Sequence, residues 1–287
     1  MNDQKVAVYS GTRNLYPYMP AAMKSLLANS SVDKIYLLIE DDRFPDWLPA
    51  EVETMNISSQ QFFLPDSINY NSYFTYMALM RVCYAKILPE TVRKVLQLDI
   101  DTVVVNDIDG LWDIDMDGKW FAAANEDQGH WRPYGDKYYN VGVCLFNLEQ
   151  MRKDGADDAL IEYLNTKKVT YLEQDALNDI GRDKVIQLPA RFNESRVTNY
   201  TDNPAIVHFA AIMNWRDNYS LYRGNYLKEY KEMTWEEALR RHRLNKAEEP
   251  EMEGGGSSWW YVCPECHGAV DPKETRCRNC NKKILWK

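Results

Sequence analysis

An acidic pair between two apolar runs is the feature of this chain that most restricts its fold. The run VLQL at residues 95–98 predicts a buried strand, Asp99-Ile100-Asp101 ends it, and the run TVVV follows at 102–105. Alternate residues of a strand point the same way, so both carboxylates are predicted to face one cleft. Their repulsion there requires a divalent cation or bound protons to offset it. A solvated turn is the alternative for an isolated D-x-D, and the other motifs have to decide.

The composition limits the classes of function. The 287 residues are 45% hydrophobic, which suits one large domain or a domain with a small appendage. The formal net charge of −9 argues against a general nucleic-acid binder, because phosphate neutralisation needs a cationic surface. Charge is uneven, since residues 259–287 carry a net +3. We therefore predict a globular, acidic protein with a basic C-terminal segment.

The chain ends and the cysteines bear on cellular location. The start has no cationic segment followed by an apolar one, and no apolar run approaches membrane-spanning length. Four of the six cysteines form two tight pairs, which favours metal binding in a reducing compartment over disulfides. We expect a cytoplasmic protein without a transmembrane segment. The alternative is a protein bound at a membrane surface through its amphipathic region 219–244. For that region, however, packing on the main domain is the favoured interpretation.

Strand and helix patterns alternate along most of the chain, which predicts an α/β fold with a mostly parallel sheet and crossover helices. A capping box at Thr234 and Glu237 predicts a further helix start. We predict a main domain at 1–245, a flexible linker at 246–258 and a small module at 259–287. The remaining predicted strands lie near 5–10, 34–40, 52–57, 119–125, 138–146 and 204–209, and the helices near 18–29, 72–88, 156–166 and 173–181.

The order of motifs over residues 4–235 resembles glycosyltransferase family 8, the retaining enzymes of GT-A fold that use nucleotide sugars. No single motif is decisive, but their joint order and spacing are hard to obtain by chance. The motifs are VYS at 8–10 with Asn14 and Tyr16, Arg81 with LP at 88–89, LDID at 98–101, LW at 111–112, YNVGV at 139–143, EQD at 173–175 with Asn178, RFN at 191–193, and VHFA at 207–210.

The resemblance implies a metal site made by Asp99, Asp101 and His208. In the family these positions hold a manganese ion that bridges the donor diphosphate, with magnesium as the alternative. Carboxylates and an imidazole suit manganese, whereas thiolates would favour zinc. For His208 alone, a hydrogen-bonded core histidine would be the commoner interpretation.

The resemblance also implies a donor-binding set. Arg81 stands among apolar residues, where a buried guanidinium needs an anionic partner, and its family counterpart contacts the donor. An ordinary surface arginine is the alternative. Ser10 and Asn14 lie in the first loop, where turn formation alone would also explain them. Ile100 lies between the two acids and is included in the donor set.

Three further segments are implied to contact the sugar. Asn140 precedes Gly142, a residue that permits close backbone approach. In the sequence EQD, Glu173 and Asp175 are assigned to sugar binding and Gln174 to the reaction centre. Both acids are also ordinary residues for a helix N-terminus, where the macrodipole favours them. Glu126 is predicted to be an acid near acceptor and sugar, with Asp127 as the alternative.

The sequence favours one route to retention and shows one departure from the family. Gln174 is a poor nucleophile, so a front-face route, in which the leaving phosphate takes the acceptor proton, is preferred over a covalent glycosyl-enzyme. Family members continue from the histidine to a glycine, a lysine and Pro-Trp. Here Ala211 replaces the glycine and the lysine is missing. Arg216 is the candidate to contact the diphosphate instead.

Two C-x-x-C pairs near the C-terminus predict a zinc ribbon. Four thiolates suit tetrahedral zinc and leave no open position for catalysis. A segment this short has little core, so metal binding has to supply much of its folding energy. Its aromatic and basic residues form either that core with a solvated rim or a face for a partner, with protein favoured over nucleic acid. The cysteines are Cys263, Cys266, Cys277 and Cys280, and the others are Trp259, Trp260, Tyr261, Trp286, Arg276, Arg278, Lys282 and Lys283.

These observations predict a manganese-dependent retaining hexosyltransferase. It would move glucose or galactose from a UDP-sugar to a glycan, glycolipid or protein acceptor, with self-glycosylation included among the alternatives. A catalytically weakened nucleotide-sugar-binding or scaffold protein, recruited through its zinc ribbon, is the alternative that the missing lysine supports.

Overall fold

The computed structural model describes residues 4–44, 47–72, 74–126, 137–195, 200–210, 223–255 and 258–286. Its strands follow the apolar runs of the sequence. They are β1 (Val6–Gly11), β2 (Lys34–Ile39), β3 (Val52–Asn56), β4 (Lys94–Leu98), β5 (Thr102–Val104), β6 (Phe121–Asn125), β7 (Tyr139–Asn147), β8 (Val185–Leu188), β9 (Ile206–His208), β10 (Glu251–Gly255) and β11 (Ser258–Val262).

Seven strands form one sheet in the order β3-β2-β1-β4-β7-β6-β8. Strands β3, β2, β1 and β4 run parallel, β7 is antiparallel to both of its neighbours, and β8 is parallel to β6. The predicted α/β class with a mostly parallel sheet is therefore confirmed. The short strand β8 had no prediction, because its four residues VIQL are too few to show a period.

Helices cover both faces of the sheet, and two clusters of buried apolar side chains lie between the layers. Helices α1 and α8 pack on one face, and α5 and α6 lie with the other cluster. The helices are α1 (Met19–Asn29), α2 (Tyr76–Leu79), α3 (Tyr84–Ile87), α4 (Leu148–Asp154), α5 (Ala156–Thr166), α6 (Leu172–Ile180), α7 (Gly224–Glu232) and α8 (Trp235–Asn245). No described helix has the length and apolarity to cross a bilayer.

The helical stretch predicted near 72–88 is present as consecutive helical turns over residues 76–87, but its middle is not α-helical. A 3-10 turn at Met80–Cys83 separates α2 from α3. Within that turn Arg81 pairs with two carboxylates of the sheet and of α6. Tertiary ion pairing of this kind overrides local helix propensity.

The helix start predicted at Thr234 is confirmed, with one half of the capping box. The Thr234 hydroxyl accepts from the Glu237 backbone N–H at 3.1 Å. The Glu237 carboxylate instead accepts from Arg240 and Arg241. Ion pairing on the exposed helix surface thus replaces the reciprocal contact.

Strand β10 falls inside the segment predicted as a flexible linker, and it pairs antiparallel with β11. The C-terminal module packs on the end of α8. Lys282 Nζ donates to the carbonyl of Arg243 at 2.8 Å, and the Lys283 N–H donates to the carbonyl of Leu244 at 2.8 Å. These carbonyls lie in the last turn of the helix, where no N–H group of the helix itself is available to them. The domain division itself stays a prediction.

Candidate active site

The acidic pair lies where β4 ends. The Asp99 N–H donates to the Gly142 carbonyl of β7, and the Asp99 carbonyl accepts from both the N–H and the hydroxyl of Thr102. This short turn leads directly into β5, which pairs antiparallel with β9 so that Thr102 lies opposite His208. The turn and the strand pair together bring residues from distant parts of the chain to one edge of the sheet.

Asp99, Asp101 and His208 converge there. Each offers a ligand atom, and these atoms lie within 4.8 Å of one another. His208 Nε2 is 3.6 Å from Asp99 Oδ2 and 3.4 Å from Asp101 Oδ1. Two carboxylates and an imidazole are a suitable donor set for manganese or magnesium. The geometry therefore fits a divalent cation.

Electrostatics in this cluster follow from burial and from the opposed charges. Burial raises the pKa of Asp99, although Arg81 acts in the opposite direction. Burial also disfavours the ionised form of Asp101, but the adjacent His208 outweighs it and lowers the pKa of Asp101. The same pairing overcomes burial and raises the pKa of His208. The protein thus holds carboxylates and imidazole in mutual compensation.

Gly142 leaves the space that His208 fills. A Cβ at this position would overlap the imidazole ring and lie 2.8 Å from Asp99 Oδ2. The glycine therefore permits a close approach, as the sequence predicted. The groups that approach its backbone are the side chains of His208 and Asp99.

Arg81 lies between two carboxylates. It pairs with Asp99, and its guanidinium is 2.7 Å from Glu173 Oε1. Burial raises the pKa of Glu173 to about 7, with Asp99 adding to the rise and Arg81 opposing it. The guanidinium has the anionic partners that its apolar setting in the sequence required, and it connects β4 to the start of α6.

A second polar group lies beside the cluster. Glu126 Oε2 accepts from Asn140 Nδ2 at 3.3 Å and from Gln174 Nε2 at 3.2 Å. Gln174 Oε1 accepts from the Val141 N–H at 3.1 Å. The structure therefore brings together Glu126, Asn140 and Gln174, the residues that the sequence assigned to sugar and reaction centre.

Asp175 lies deeper than the residues around it. It is fully buried, and its carboxylate accepts from the Tyr138 hydroxyl at 2.6 Å and from the backbone N–H groups of Thr170 and Tyr171 at 2.9 Å each. These contacts hold the loop before α6. The two acids of the EQD motif therefore have different partners. Asp175 holds the preceding loop, whereas Glu173 pairs with Arg81.

The remaining predicted donor residues are spread along the first strand and turn. Ser10 is buried at the end of β1, and Asn14 accepts from the Thr12 hydroxyl in the exposed turn that follows. The Ile100 side chain packs in the apolar core. Asp127, Ala211 and Arg216 lie outside the described residues.

The four C-terminal cysteines converge in the same way as the acids. Cys263 Sγ is 3.6 Å from Cys280 Sγ, and Cys266 Sγ is 3.7 Å from Cys277 Sγ. The N–H of Glu265 and that of Asn279 each point at a sulfur, at 3.4 Å. All four ligand atoms lie within 4.8 Å of one another. The arrangement fits a metal with four thiolate ligands.

Three of the four basic residues singled out in the C-terminal module contact the main domain, whereas Arg278 is exposed and pairs with Glu274. Lys282 is only 1% exposed, and Lys283 Nζ is 3.0 Å from Asp109. Arg276 donates to the Asn245 side chain at 3.1 Å. Tyr261 packs edge-on against Trp286, while Trp260 is 50% exposed.

Asn193 is a site residue to which sequence reasoning gave no role. It is fully buried, and its Oδ1 lies 2.9 Å from His208 Nδ1. Its Nδ2 donates to Asn140 Oδ1 at 2.9 Å. Its place in the RFN motif was visible, but its partners come from β7 and β9 and no local pattern connects them.

The order of the sheet, the cluster of Asp99, Asp101 and His208 at its edge and the helices on both faces define a protein of GT-A fold. The profile of glycosyl transferase family 8 matches residues 7–218, and the chain belongs to that family.

Relatives agree with this assignment. A curated protein of Haemophilus influenzae with a provisional glycosyltransferase name is 25% identical over 209 residues, which are 65% of this chain and 62% of that protein. The chain thus spans less than two thirds of the length of that relative.

Solved structures share the fold. The galactosyltransferase LgtC, in complex with donor and acceptor sugar analogues, superposes with a TM-score of 0.64 at 19% identity, over 82% of this chain and 99% of LgtC. The glycosyltransferase GlyE of Streptococcus pneumoniae gives 0.65 at 22% identity, over 83% of this chain and 62% of GlyE. Mouse xyloside xylosyltransferase 1 gives 0.57 at 16% identity, over 72% and 98%.

Proposed function

We propose that the chain is a metal-dependent retaining hexosyltransferase that uses UDP-glucose or UDP-galactose. The observation that supports this most is the convergence of Asp99, Asp101 and His208 beside the Arg81 ion pairs. These three ligands would hold manganese or magnesium. The bound cation would neutralise charge that develops on the departing nucleotide diphosphate.

The protein groups around the cation have separate tasks in this proposal. Arg81 holds Asp99 in place and, with Glu173, forms the wall of the donor site. Glu126 and Asn140 present a carboxylate and an amide where the sugar would lie. Gln174 Oε1 accepts from the Val141 N–H, and a neutral amide oxygen is a poor nucleophile for the anomeric carbon. This supports the front-face route, in which the leaving phosphate takes the proton of the acceptor hydroxyl.

The acceptor is a glycan, glycolipid or protein. The shared fold of LgtC and GlyE does not distinguish among these three classes of acceptor. We propose that Ser10 and Asn14 contact the nucleotide and that Arg216 contacts the diphosphate. We further expect the protein to act in the cytoplasm. A scaffold that binds nucleotide sugar without transfer is the second candidate, favoured by the missing lysine after His208.

The test is release of UDP from UDP-hexoses with and without manganese. We expect metal-dependent release that Asp101→Ala abolishes and that Asp113→Ala, at an exposed aspartate away from the cluster, leaves unchanged. If calorimetry with manganese present shows no nucleotide binding, the proposed hexosyltransferase activity is refuted. Binding without release to any acceptor would instead favour the scaffold.

We also propose that the four cysteines bind zinc. A tetrahedral site with Zn–S bonds of about 2.3 Å has sulfur–sulfur edges of about 3.8 Å. The two separations in the structure, 3.6 and 3.7 Å, are close to that edge. Metal analysis of the purified protein should give one zinc per chain, lost in Cys266→Ser. A protein purified under reducing conditions with no zinc would contradict this proposal.

A further inference from the structure

We propose that Asn193 is a positioning residue that sets both the tautomer of His208 and the orientation of the Asn140 amide. The proposal rests on the proposed function. It assigns to one buried side chain the connection between the metal ligands and the polar group around Glu126. Its Oδ1 lies 2.9 Å from His208 Nδ1. Its Nδ2 donates to Asn140 at the side-chain Oδ1, at 2.9 Å, and at the backbone carbonyl, at 3.4 Å.

The direction of these hydrogen bonds is fixed by the backbone. The Gly142 N–H can only donate, and its acceptor at 2.9 Å is therefore the oxygen of the Asn140 side chain. That oxygen also meets Asn193, so the Asn193 atom that faces it is the NH₂ group. The other Asn193 atom is then an oxygen, and it faces His208.

These linked hydrogen bonds determine which ring nitrogen of His208 carries the proton. An amide oxygen only accepts, so His208 Nδ1 carries a proton. In the neutral ring the lone pair is then on Nε2, the atom that lies 3.6 and 3.4 Å from the two aspartates. A hydrogen bond to the far ring nitrogen commonly fixes the tautomer of a metal-ligating histidine.

The other branch reaches the proposed reaction centre. With its oxygen held by Gly142 and Asn193, Asn140 directs its NH₂ group to Glu126. The Val141 N–H fixes Gln174 in the same way, so the Gln174 NH₂ group also faces Glu126. Glu126 Oε2 thus receives two amide donors, which favours its ionised form.

The backbone around Asn193 is built to hold this position. Its N–H donates to the Ala190 carbonyl at 3.0 Å, and the next residue, Glu194, forms a bridge with Val207. The His208 N–H donates to the Glu194 carbonyl at 2.8 Å. Asn193 and His208 are therefore fixed side by side by main-chain bonds, and the side-chain contact does not depend on a mobile loop.

Two substitutions separate the branches. Asn193→Leu keeps the approximate shape and removes the side-chain hydrogen bonds to both His208 and Asn140. Asn193→Asp keeps an acceptor for His208 Nδ1 and removes the donor to Asn140. Asn203→Asp makes the same change at an exposed position of a turn and is the matched control. Manganese affinity of the UDP-bound protein, kcat and the melting temperature are measured for all four proteins.

We expect Asn193→Leu to lower manganese affinity about 10- to 100-fold, the range seen when the hydrogen-bond partner of a metal ligand is removed. Asn193→Asp should retain metal affinity close to that of wild type and lose about 10-fold or more in kcat. Asn203→Asp should match wild type in every measurement. A merely structural Asn193 would lower the melting temperature in both variants without separating metal affinity from kcat, and that result would overturn the inference.

A spectroscopic measurement covers the case in which the variants are inactive. The chain has four histidines, so ¹⁵N spectra of the metal-free protein can be assigned. Above the pKa of His208 the wild type should show the Nδ1–H tautomer, and Asn193→Leu should lose that preference. The same tautomer ratio in both proteins would overturn the inference. If wild type itself fails to bind manganese and UDP, the proposed function fails, while this spectrum still decides the role of Asn193.

Discussion

Gly142 and His208 occupy adjoining space, and a Cβ on the glycine would overlap the imidazole ring. Gly142→Ala is therefore expected to displace His208 and to lower manganese affinity by about tenfold or more. Calorimetric titration of manganese in the presence of UDP measures the effect. Gly110→Ala is the control, because a Cβ there meets nothing within 4 Å. Equal affinity in the two variants would show that the site tolerates the methyl group.

Arg81 separates two carboxylates, the half-buried Asp99 and the buried Glu173. Arg81→Met leaves these charges uncompensated, so it should cost about 3–5 kcal/mol of unfolding free energy. Arg93→Met removes the exposed pair with Glu149 and should cost under about 1 kcal/mol. Urea denaturation at neutral pH compares the two. Similar losses for both variants would mean that burial adds little to the Arg81 pairs.

Asp157 is buried at the start of α5, and this burial raises its pKa from 3.8 to about 7. Between these values the native carboxyl keeps its proton while the unfolded chain loses it, so stability falls as pH rises through that window. At about 1.4 kcal/mol per pH unit the full loss is at most about 4 kcal/mol.

Asp157→Asn should remove this loss and make the protein more stable than wild type at pH 8, with little difference near pH 4. Asp158→Asn, at the exposed neighbour that pairs with Lys86, is the matched control. Unfolding free energies from pH 4 to 8 test the prediction. A wild-type profile parallel to that of Asp157→Asn would contradict it.

The C-terminal module supplies partners to the last turn of α8 through Lys282 and Lys283. If the four cysteines hold zinc as proposed, its removal should unfold the module and leave these carbonyls without the donors of Lys282 and Lys283. The melting temperature of the whole protein should then fall by roughly 5 °C or more. Calorimetry with and without a zinc chelator measures this. In the Asp101→Ala variant, which alters the proposed donor site only, the chelator should lower the melting temperature by the same amount. A smaller decrease in that variant would show that the chelator acts through the proposed donor site.

The sequence predicted what is encoded locally. The apolar runs at 34–39 and 95–98 became β2 and β4, and the apolar surroundings of Arg81 predicted anionic partners that the fold supplies. The 3-10 segment at Met80–Cys83 was not predictable, because the carboxylates that pair with Arg81 within it come from distant parts of the chain. The role of Asn193 was hidden for the same reason, since its partners lie on β7 and β9.

The pairing of β5 with β9 places Thr102 opposite His208, although more than a third of the chain separates them. Closing so long a loop has an entropic cost that only the completed domain can offset. Contacts of high sequence separation also form slowly during folding. Cation binding by Asp101 and His208 should therefore appear late in refolding, and its time course would report completion of the domain more directly than helix content does.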